Sequence, residues 1–257
     1  MSQSYAYRNQ QLIAVEQSAQ PVLVADSFLV VNGRTRSLNH HLDRFRRGIQ
    51  TKAPELLPNL ENFLEQALAL IPRTGRFFPR IELREELLVH IRAAPEQLGP
   101  ATLWTYPEPD PRLDLSTKGP ELELGQIMRE QAAAHAADEA VLLTSYGEVS
   151  EGALSSLVWW RGDLLCAPGV EIPWLESVTR TEIFTVAKSL NIQTRMEHVR
   201  PDDLVGLELW ILSSLQGIRV VKNWVGLSND FKSGEHVEKF NQRLKLLETQ
   251  LPQVPVE

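Results

Sequence analysis

Residues 116–152 read STKGPELELGQIMREQAAAHAADEAVLLTSYGEVSEG. This stretch has a lysine, Lys118, near its start and continues with apolar residues at helical spacing over about residues 121–137. An apolar run and a tight turn follow, and they predict two strands, with Glu151 and Gly152 at the end of the second. The stretch therefore combines an amine before a helix with a carboxylate at a strand end.

The rest of the chain predicts an α+β fold. Before residue 116, β-branched runs predict strands turned at Asn32-Gly33, and two helices and three short strands follow. After residue 152 most predicted elements are strands. The predicted elements outside the central stretch cover about residues 6–15, 21–31, 38–49, 60–68, 76–83, 86–92, 101–106, 176–190, 208–224 and 235–251.

Three prolines within residues 107–112 predict a linker between two lobes. The N-terminal lobe, residues 1–109, is the smaller and has α/β character. The C-terminal lobe, residues 110–257, is larger and rich in strands, and it contains Lys118.

Composition and motifs exclude several classes of function. The 257 residues carry a formal net charge of -7, whereas nucleic acids and anionic membranes select for basic surfaces. The single cysteine, Cys166, excludes an internal disulfide and is expected to be a buried thiol. No apolar run reaches the roughly 18 residues that a membrane span needs, so we expect a cytoplasmic protein. No metal site is expected, because His40 and His41 are adjacent on a helix and predict a surface or capping role.

The order of groups from Lys118 onwards resembles that of the class IV, or fold type IV, pyridoxal 5'-phosphate (PLP) enzymes. That order is a lysine, a helix, the strand Ala137–Leu143, the triplet Ser150-Glu151-Gly152 and a helix beginning near Val178-Thr179-Arg180. The family includes branched-chain and D-amino-acid aminotransferases and aminodeoxychorismate lyase. The similarity covers about residues 38–221 and implies the two-lobed fold type IV architecture with a pseudo-barrel C-terminal lobe, PLP as cofactor, and a homodimer.

The resemblance also assigns roles to individual residues. Lys118 would form the Schiff base with PLP and move a proton, Glu151 would bind the ring nitrogen, and Arg44 would bind the phosphate. The other implied phosphate ligands are Val178 and Thr179, at a helix N-terminus, and Ser213, Ser214 and Leu215, in a loop. Without the resemblance, the sequence predicts a solvated lysine at Lys118 and a turn glutamate at Glu151. Ser213 and Ser214 would then be ordinary turn residues.

Arg80 is the candidate for binding the carboxylate of a substrate. It lies on a predicted strand, where some relatives carry an arginine for this purpose. The alternative is an outward-facing arginine that pairs with Glu82 or Glu86. Further along, Trp159 and Trp160 are expected to pack in a core or at a dimer interface rather than to stack on bases, because no basic stripe accompanies them.

Three functions stay open from the sequence. The first is an aminotransferase that acts on a small amino acid and a 2-oxo acid. The second is a lyase of the aminodeoxychorismate type, favoured by the spacings of 20 positions from Lys118 to Asp138 and 33 to Glu151. The third is a non-catalytic protein of the same fold, because Gly119-Pro120 and Ser156 depart from the residues that family members carry.

Overall fold

The computed structural model describes residues 2–16, 18–172 and 174–252. Its α-helices are α1 (Leu38–Lys52), α2 (Leu57–Ala69), α3 (Leu122–Ala134), α4 (Val178–Ser189) and α5 (Val237–Lys245). Its strands are β1 (Gln3–Arg8), β2 (Gln11–Val15), β3 (Val24–Ser27), β4 (Val30–Val31), β5 (Arg34–Arg36), β6 (Arg76–Phe77), β7 (Arg80–Leu83), β8 (Leu87–Ile91), β9 (Ala101–Pro109), β10 (Glu139–Leu143), β11 (Val149–Gly152), β12 (Ser156–Arg161), β13 (Leu164–Pro168), β14 (Thr194–Glu197), β15 (Glu208–Ser213), β16 (Gly217–Val225) and β17 (Glu248–Gln250). Short 3-10 helices cover Pro54–Leu56 and Pro201–Leu204.

The chain divides into two units. Among the described residues, the first unit contains those up to Glu96, Thr117–Pro120, and those from Leu247 onwards. The second unit contains Gln97–Ser116 and Glu121–Leu246.

The first unit holds a five-stranded antiparallel sheet and a sheet of four short strands. The strand orders are β2-β1-β8-β7-β3 and β17-β5-β4-β6. Helices α1 and α2 confirm the helical spacing, because their apolar faces bury Phe45 and Phe63 in one core. The turn Asn32-Gly33 joins β4 to β5 as predicted, and its φ values of 50° and 72° are those that a type I′ hairpin needs.

The second unit is a curled eight-stranded half-barrel sheet with the order β11-β10-β9-β16-β15-β12-β13-β14. Strands β9 and β10 pair in parallel, and α3 makes the crossover between them. Trp159 and Trp224 lie fully within the core, and Trp160 is also buried, which confirms the expected packing of the tryptophan pair. Cys166 lies in the same core, and burial raises the pKa of its thiol to about 11.

Two segments differ from the pattern-based expectation. Part of the proline-rich segment 107–112 is a strand, because β9 runs through Pro109, which pairs with Leu143 of β10. The two compact units divide after Glu96 rather than in this segment, and Lys118 groups with the first unit. The last helix also ends earlier than predicted, because residues 248–250 form β17 and pair with β5.

Candidate active site

The backbone of Lys118 is anchored on strand β3 within the first unit. The Lys118 carbonyl accepts a hydrogen bond of 2.6 Å from the Ala25 amide. Gly119 has a φ of +151°, and a Cβ at this position would lie 2.8 Å from the Val24 Cα atom. Because only glycine permits this close approach, the residue after Lys118 holds the lysine backbone against β3. The Lys118 side chain is half-buried.

The same strand orients Arg44 through a buried carboxylate. Asp26 is fully buried and accepts hydrogen bonds from Arg44 Nε at 2.7 Å and from Arg44 Nη2 at 2.9 Å. His41 Nδ1 lies 2.7 Å from the same carboxylate. His41 is therefore buried, which corrects the expectation of a surface or capping role, whereas His40 is exposed.

The ionisation of Asp26 follows from these partners. Burial by itself would raise the pKa of the carboxyl group, but Arg44 and His41 outweigh burial and hold the pKa well below its usual range. Asp26 is thus an anion across the physiological range, and its charge fixes the guanidinium of Arg44 in one orientation.

Arg80 begins a cluster of cations that surrounds one buried carboxylate. Its Nε lies 2.6 Å from Glu82 Oε2, an ion pair whose atoms are not aligned for a hydrogen bond. Arg84 Nε and His90 Nε2 lie 2.5 and 2.7 Å from the other oxygen. Arg80 thus has the Glu82 partner that the alternative interpretation named, and this leaves its substrate role a prediction.

The cluster carries more positive than negative charge. Burial and the nearby charge of Arg80 together lower the pKa of Arg92 to about 10, against the opposing charge of Glu82. Arg92 also lies with its Cζ 5.3 Å from the centre of the Phe78 ring. Three arginines around Glu82 form a region that favours an anion.

The Glu82 cluster makes the folded state sensitive to acid. Burial alone would raise the pKa of Glu82, but hydrogen bonds and ion pairs with His90, Arg84 and Arg80 lower it to about 2. Since an unfolded glutamate titrates near ~4.3, the cluster stabilises the fold above that pH, and this contribution is lost as the pH falls towards 2. We expect Glu82→Gln to destabilise the protein at pH 7 and to matter progressively less at pH 4 and pH 3.

Urea unfolding at these three pH values measures the effect. The matched control is Glu86→Gln, whose carboxylate forms a largely exposed ion pair with Arg8, so a much smaller change is expected. A destabilisation by Glu82→Gln that has the same size at every pH would contradict the assigned ionisation.

Glu151 lies on β11 in the second unit and is buried. Its Oε1 atom accepts hydrogen bonds from Arg112 Nη2 at 2.8 Å and from the Leu175 amide at 3.2 Å. Its Oε2 atom has no hydrogen-bond partner among the residues that the structure describes. Burial raises the pKa of the carboxyl group, and the charge of Arg112 opposes that shift.

Helix α4 begins with the residues predicted to bind a phosphate. Ser177 is its N-cap, and the Ser177 hydroxyl accepts a hydrogen bond of 3.2 Å from the Arg180 amide. Val178 and Thr179 are buried, and no described residue accepts a hydrogen bond from their amide groups. Free amides and the helix dipole favour an anion at this end of the helix.

Arg180 contributes an unpaired buried donor beside these amides. Its guanidinium stacks on the Trp174 ring at 3.1 Å, and Nη1 has no partner among the described residues. Burial lowers the pKa of Arg180 to about 10. A buried donor of this kind is expected to meet an acceptor, which a bound ligand can supply.

Ser213, Ser214 and Leu215 form the turn between β15 and β16. The Ser213 hydroxyl accepts a hydrogen bond of 3.1 Å from the Gln216 amide, so it takes part in the turn itself. All three residues are half-buried.

The structure brings some of the predicted residues together. Strand β3 holds the Lys118 backbone through Ala25 and orients Arg44 through Asp26, and its Ser27 is paired with Arg80 of β7. In the second unit, Glu151 contacts Leu175, two residues before the N-cap of α4.

The sequence pattern did not identify Arg112 and Asp110. Arg112 Nε lies 2.9 Å from Asp110 Oδ1, and Arg112 Nη2 lies 2.6 Å from Asp110 Oδ2. The signal for this pair is an aspartate and an arginine two positions apart, but it was concealed by the prolines that predicted a linker.

The curled eight-stranded half-barrel sheet together with the smaller sheets is the α+β fold of the fold IV aminotransferases. The family model described as "Amino-transferase class IV" matches residues 23–224. This chain therefore belongs to the class IV aminotransferase family.

Solved structures show the same fold. The Escherichia coli branched-chain amino acid aminotransferase is 15% identical with a TM-score of 0.78, and the match covers 98% of this chain and 100% of that one. A hypothetical Mycobacterium tuberculosis aminotransferase in PLP-bound form is 17% identical with a TM-score of 0.76, covering 96% and 98%. The branched-chain aminotransferase of Thermoproteus uzoniensis with norvaline is 17% identical with a TM-score of 0.76, covering 97% and 99%. No curated protein matches the chain significantly in sequence.

Two kinds of feature are absent from the described residues. No helix among them is long and apolar enough to cross a bilayer. No group of three or more histidine, cysteine, aspartate or glutamate residues in the same part of the chain could hold a metal ion.

Proposed function

We propose that this enzyme transfers an amino group between a small amino acid and a 2-oxo acid, with PLP as its cofactor. The observation that carries the proposal is the anchoring of Lys118 on β3, the strand that also orients Arg44. When bound, PLP supplies the electron sink that amino transfer needs.

The residues present fit this cofactor in three respects. The amides of Val178 and Thr179, which no described residue pairs, fit a phosphate, and Glu151 Oε2, which receives no hydrogen bond from the described residues, fits a protonated ring nitrogen. Arg180 Nη1, likewise without a partner in the described part of the chain, fits a further acceptor. Phosphate would thus be held in the second unit by Val178 and Thr179. The resemblance to the PLP enzymes adds Arg44 and residues Ser213–Leu215 as further predicted phosphate ligands.

Each residue has a distinct task in this proposal. Lys118 would hold the cofactor covalently and, once freed by the substrate, would move the proton of the substrate α-carbon. Glu151 keeps the ring nitrogen protonated by accepting its hydrogen bond. Arg44 contributes positive charge to the phosphate, and Asp26 holds that arginine in place.

A lyase of the aminodeoxychorismate type is the second candidate, because the spacings from Lys118 to Asp138 and to Glu151 resemble those of the lyase members. Two assays of the PLP-loaded protein distinguish the candidates. One follows amino transfer from a panel of small amino acids to a 2-oxo acid by chromatography of the new amino acid. The other follows pyruvate release from aminodeoxychorismate. Activity in the second assay alone would replace the aminotransferase proposal, and covalent PLP without activity in either would favour the non-catalytic alternative.

Substitution of Arg80 tests whether this residue binds the carboxylate of the substrate. We expect Arg80→Met to raise KM for the amino donor by about 10-fold or more, the value of one charge-assisted hydrogen bond, and to change kcat little. Steady-state kinetics measure both constants. The matched control is Arg84→Met, because it removes another partner of Glu82, at 2.5 Å, without removing the proposed ligand. An equal rise of KM in both variants would contradict a direct role of Arg80.

We also propose that the chain forms a homodimer, as its resemblance to the PLP enzymes implies, and the cytoplasmic location stays a prediction from the sequence. Light scattering of the purified protein tests the oligomeric state. A monomer at all concentrations would contradict this part of the proposal.

A further inference from the structure

Arg112 and Glu151 form a buried ion pair that the proposed function does not explain. The side chain of Arg112 is 5% exposed and that of Glu151 is 6% exposed. The two side chains come from different segments, since Arg112 follows β9 and Glu151 lies on β11. A buried pair of this kind is costly to desolvate and gives weak grounds for stability alone, so another role is worth seeking.

Asp110 holds Arg112 in position. The carboxylate of Asp110 accepts from the Arg112 backbone amide at 3.1 Å, from Nε at 2.9 Å and from Nη2 at 2.6 Å. The Asp110 amide in turn donates to the Leu143 carbonyl of β10 at 2.9 Å. The guanidinium is therefore attached to the sheet and has one preferred orientation, with Nη2 directed at Glu151.

The hydrogen bonds to Glu151 are unequally divided between its two oxygen atoms. Oε1 receives both described donors, Arg112 Nη2 and the Leu175 amide, and Oε2 receives none. A carboxylate held in this way has a fixed plane and one oxygen available to an incoming donor. The arrangement suits a carboxylate that must meet a protonated ring nitrogen with defined geometry.

We infer that Arg112, supported by Asp110, is a positioning residue that keeps Glu151 ionised and directs its free oxygen to the ring nitrogen of the cofactor. The inference rests on the proposed binding of PLP. The cationic neighbour is needed because burial disfavours the charge of Glu151, and Arg112 is the main cation that opposes burial.

The test uses pyridoxamine 5'-phosphate, which does not attach covalently to Lys118, so that binding is measured without catalysis. Dissociation constants are determined by calorimetry between pH 5.5 and pH 8.5 for wild type and Arg112→Met. The ratio of the two constants cancels the titration of the probe itself. At pH 8.5 we expect the dissociation constant of Arg112→Met to exceed that of wild type by no more than about threefold. This excess should grow by about tenfold or more at pH 5.5, because Glu151 without its arginine becomes protonated as the pH falls.

Three further variants make the test specific. Arg112→Lys restores a positive charge and should restore most of the wild-type pH profile. In a Glu151→Gln background, Arg112→Met should add no further pH dependence of probe binding, because the carboxylate through which Arg112 is inferred to act is then absent. Arg161→Met, which removes an ion pair with Glu197 elsewhere in the second unit, should leave the profile unchanged. Thermal unfolding of each variant shows whether it is folded.

The outcomes separate this inference from the proposed function. If wild type binds neither the probe nor PLP, the proposed function fails. If wild type binds the probe and the ratio for folded Arg112→Met is the same at every pH, Arg112 does not act through the ionisation of Glu151 and the inference is overturned. A pH-dependent ratio that persists in the Glu151→Gln background would also overturn it.

Discussion

Lys118→Ala is expected to abolish covalent attachment of PLP and to lower the rate of amino transfer by about 10²–10⁴-fold, the usual contribution of a positioned general acid or base. The reason is that the variant removes both the amine that binds the cofactor covalently and the group that moves the substrate proton. Absorbance in the near-visible range measures the attachment, and borohydride reduction followed by peptide mapping identifies the labelled lysine.

The matched control for this variant is Lys188→Ala, because Lys188 is exposed in the last turn of α4 and has no role in the proposal. It should bind PLP and react as wild type does. Reduction of wild type should label the peptide that contains Lys118. A label on another lysine, or full activity of Lys118→Ala, would remove the basis of the proposed catalytic site.

Asp26→Ala is expected to cause the largest loss of stability, about 3–5 kcal/mol in the free energy of unfolding, as is usual when one partner of a buried ion pair is removed. Asp26 is fully buried, and its loss leaves the Arg44 guanidinium, whose side chain is 10% exposed, without the carboxylate that holds it at 2.7 Å. Urea unfolding of the protein without cofactor measures this change at pH 7.

Asp43→Ala is the control for Asp26→Ala. Asp43 pairs with Arg46 on the same helix, but its side chain is 52% exposed, so the expected change is below about 1 kcal/mol. Equal changes for the two aspartates would show that the buried cluster does not stabilise the first unit. PLP affinity of Asp26→Ala, measured below its unfolding midpoint, should also fall, because Arg44 loses its orientation.

Much of the fold could be predicted because it depends on local periodicity. The apolar spacing of α1 and α2, the Asn32-Gly33 hairpin and the helix that follows Lys118 are all signals within a few residues along the chain. The strand character of residues 107–109 could not be predicted from the sequence, because proline marks both linkers and strand ends. Only the pairing of Pro109 with Leu143 distinguishes the two cases, and that partner is 34 positions further along.

The sequence predicted which residues belong to the candidate site, but it did not predict which residues pair with them. The order from Lys118 to Arg180 indicated the family, and the family model covers that region. The carboxylate that orients Arg44 and the arginine that pairs with Glu151 come from distant segments. Their residue types alone are compatible with exposed ion pairs, which are common in any charged sequence.

The sequence by itself determined the family, the candidate lysine and the arrangement of helices and strands, because these depend on short-range order along the chain. The tertiary structure decided which charges are buried and which groups they meet. Asp26 is paired with Arg44, Glu82 with several cations, and Glu151 with Arg112 only once β3, β7 and β11 occupy their sheets. The physical reason is that desolvation and ion pairing depend on distances between groups, and those distances arise when separated segments pack together.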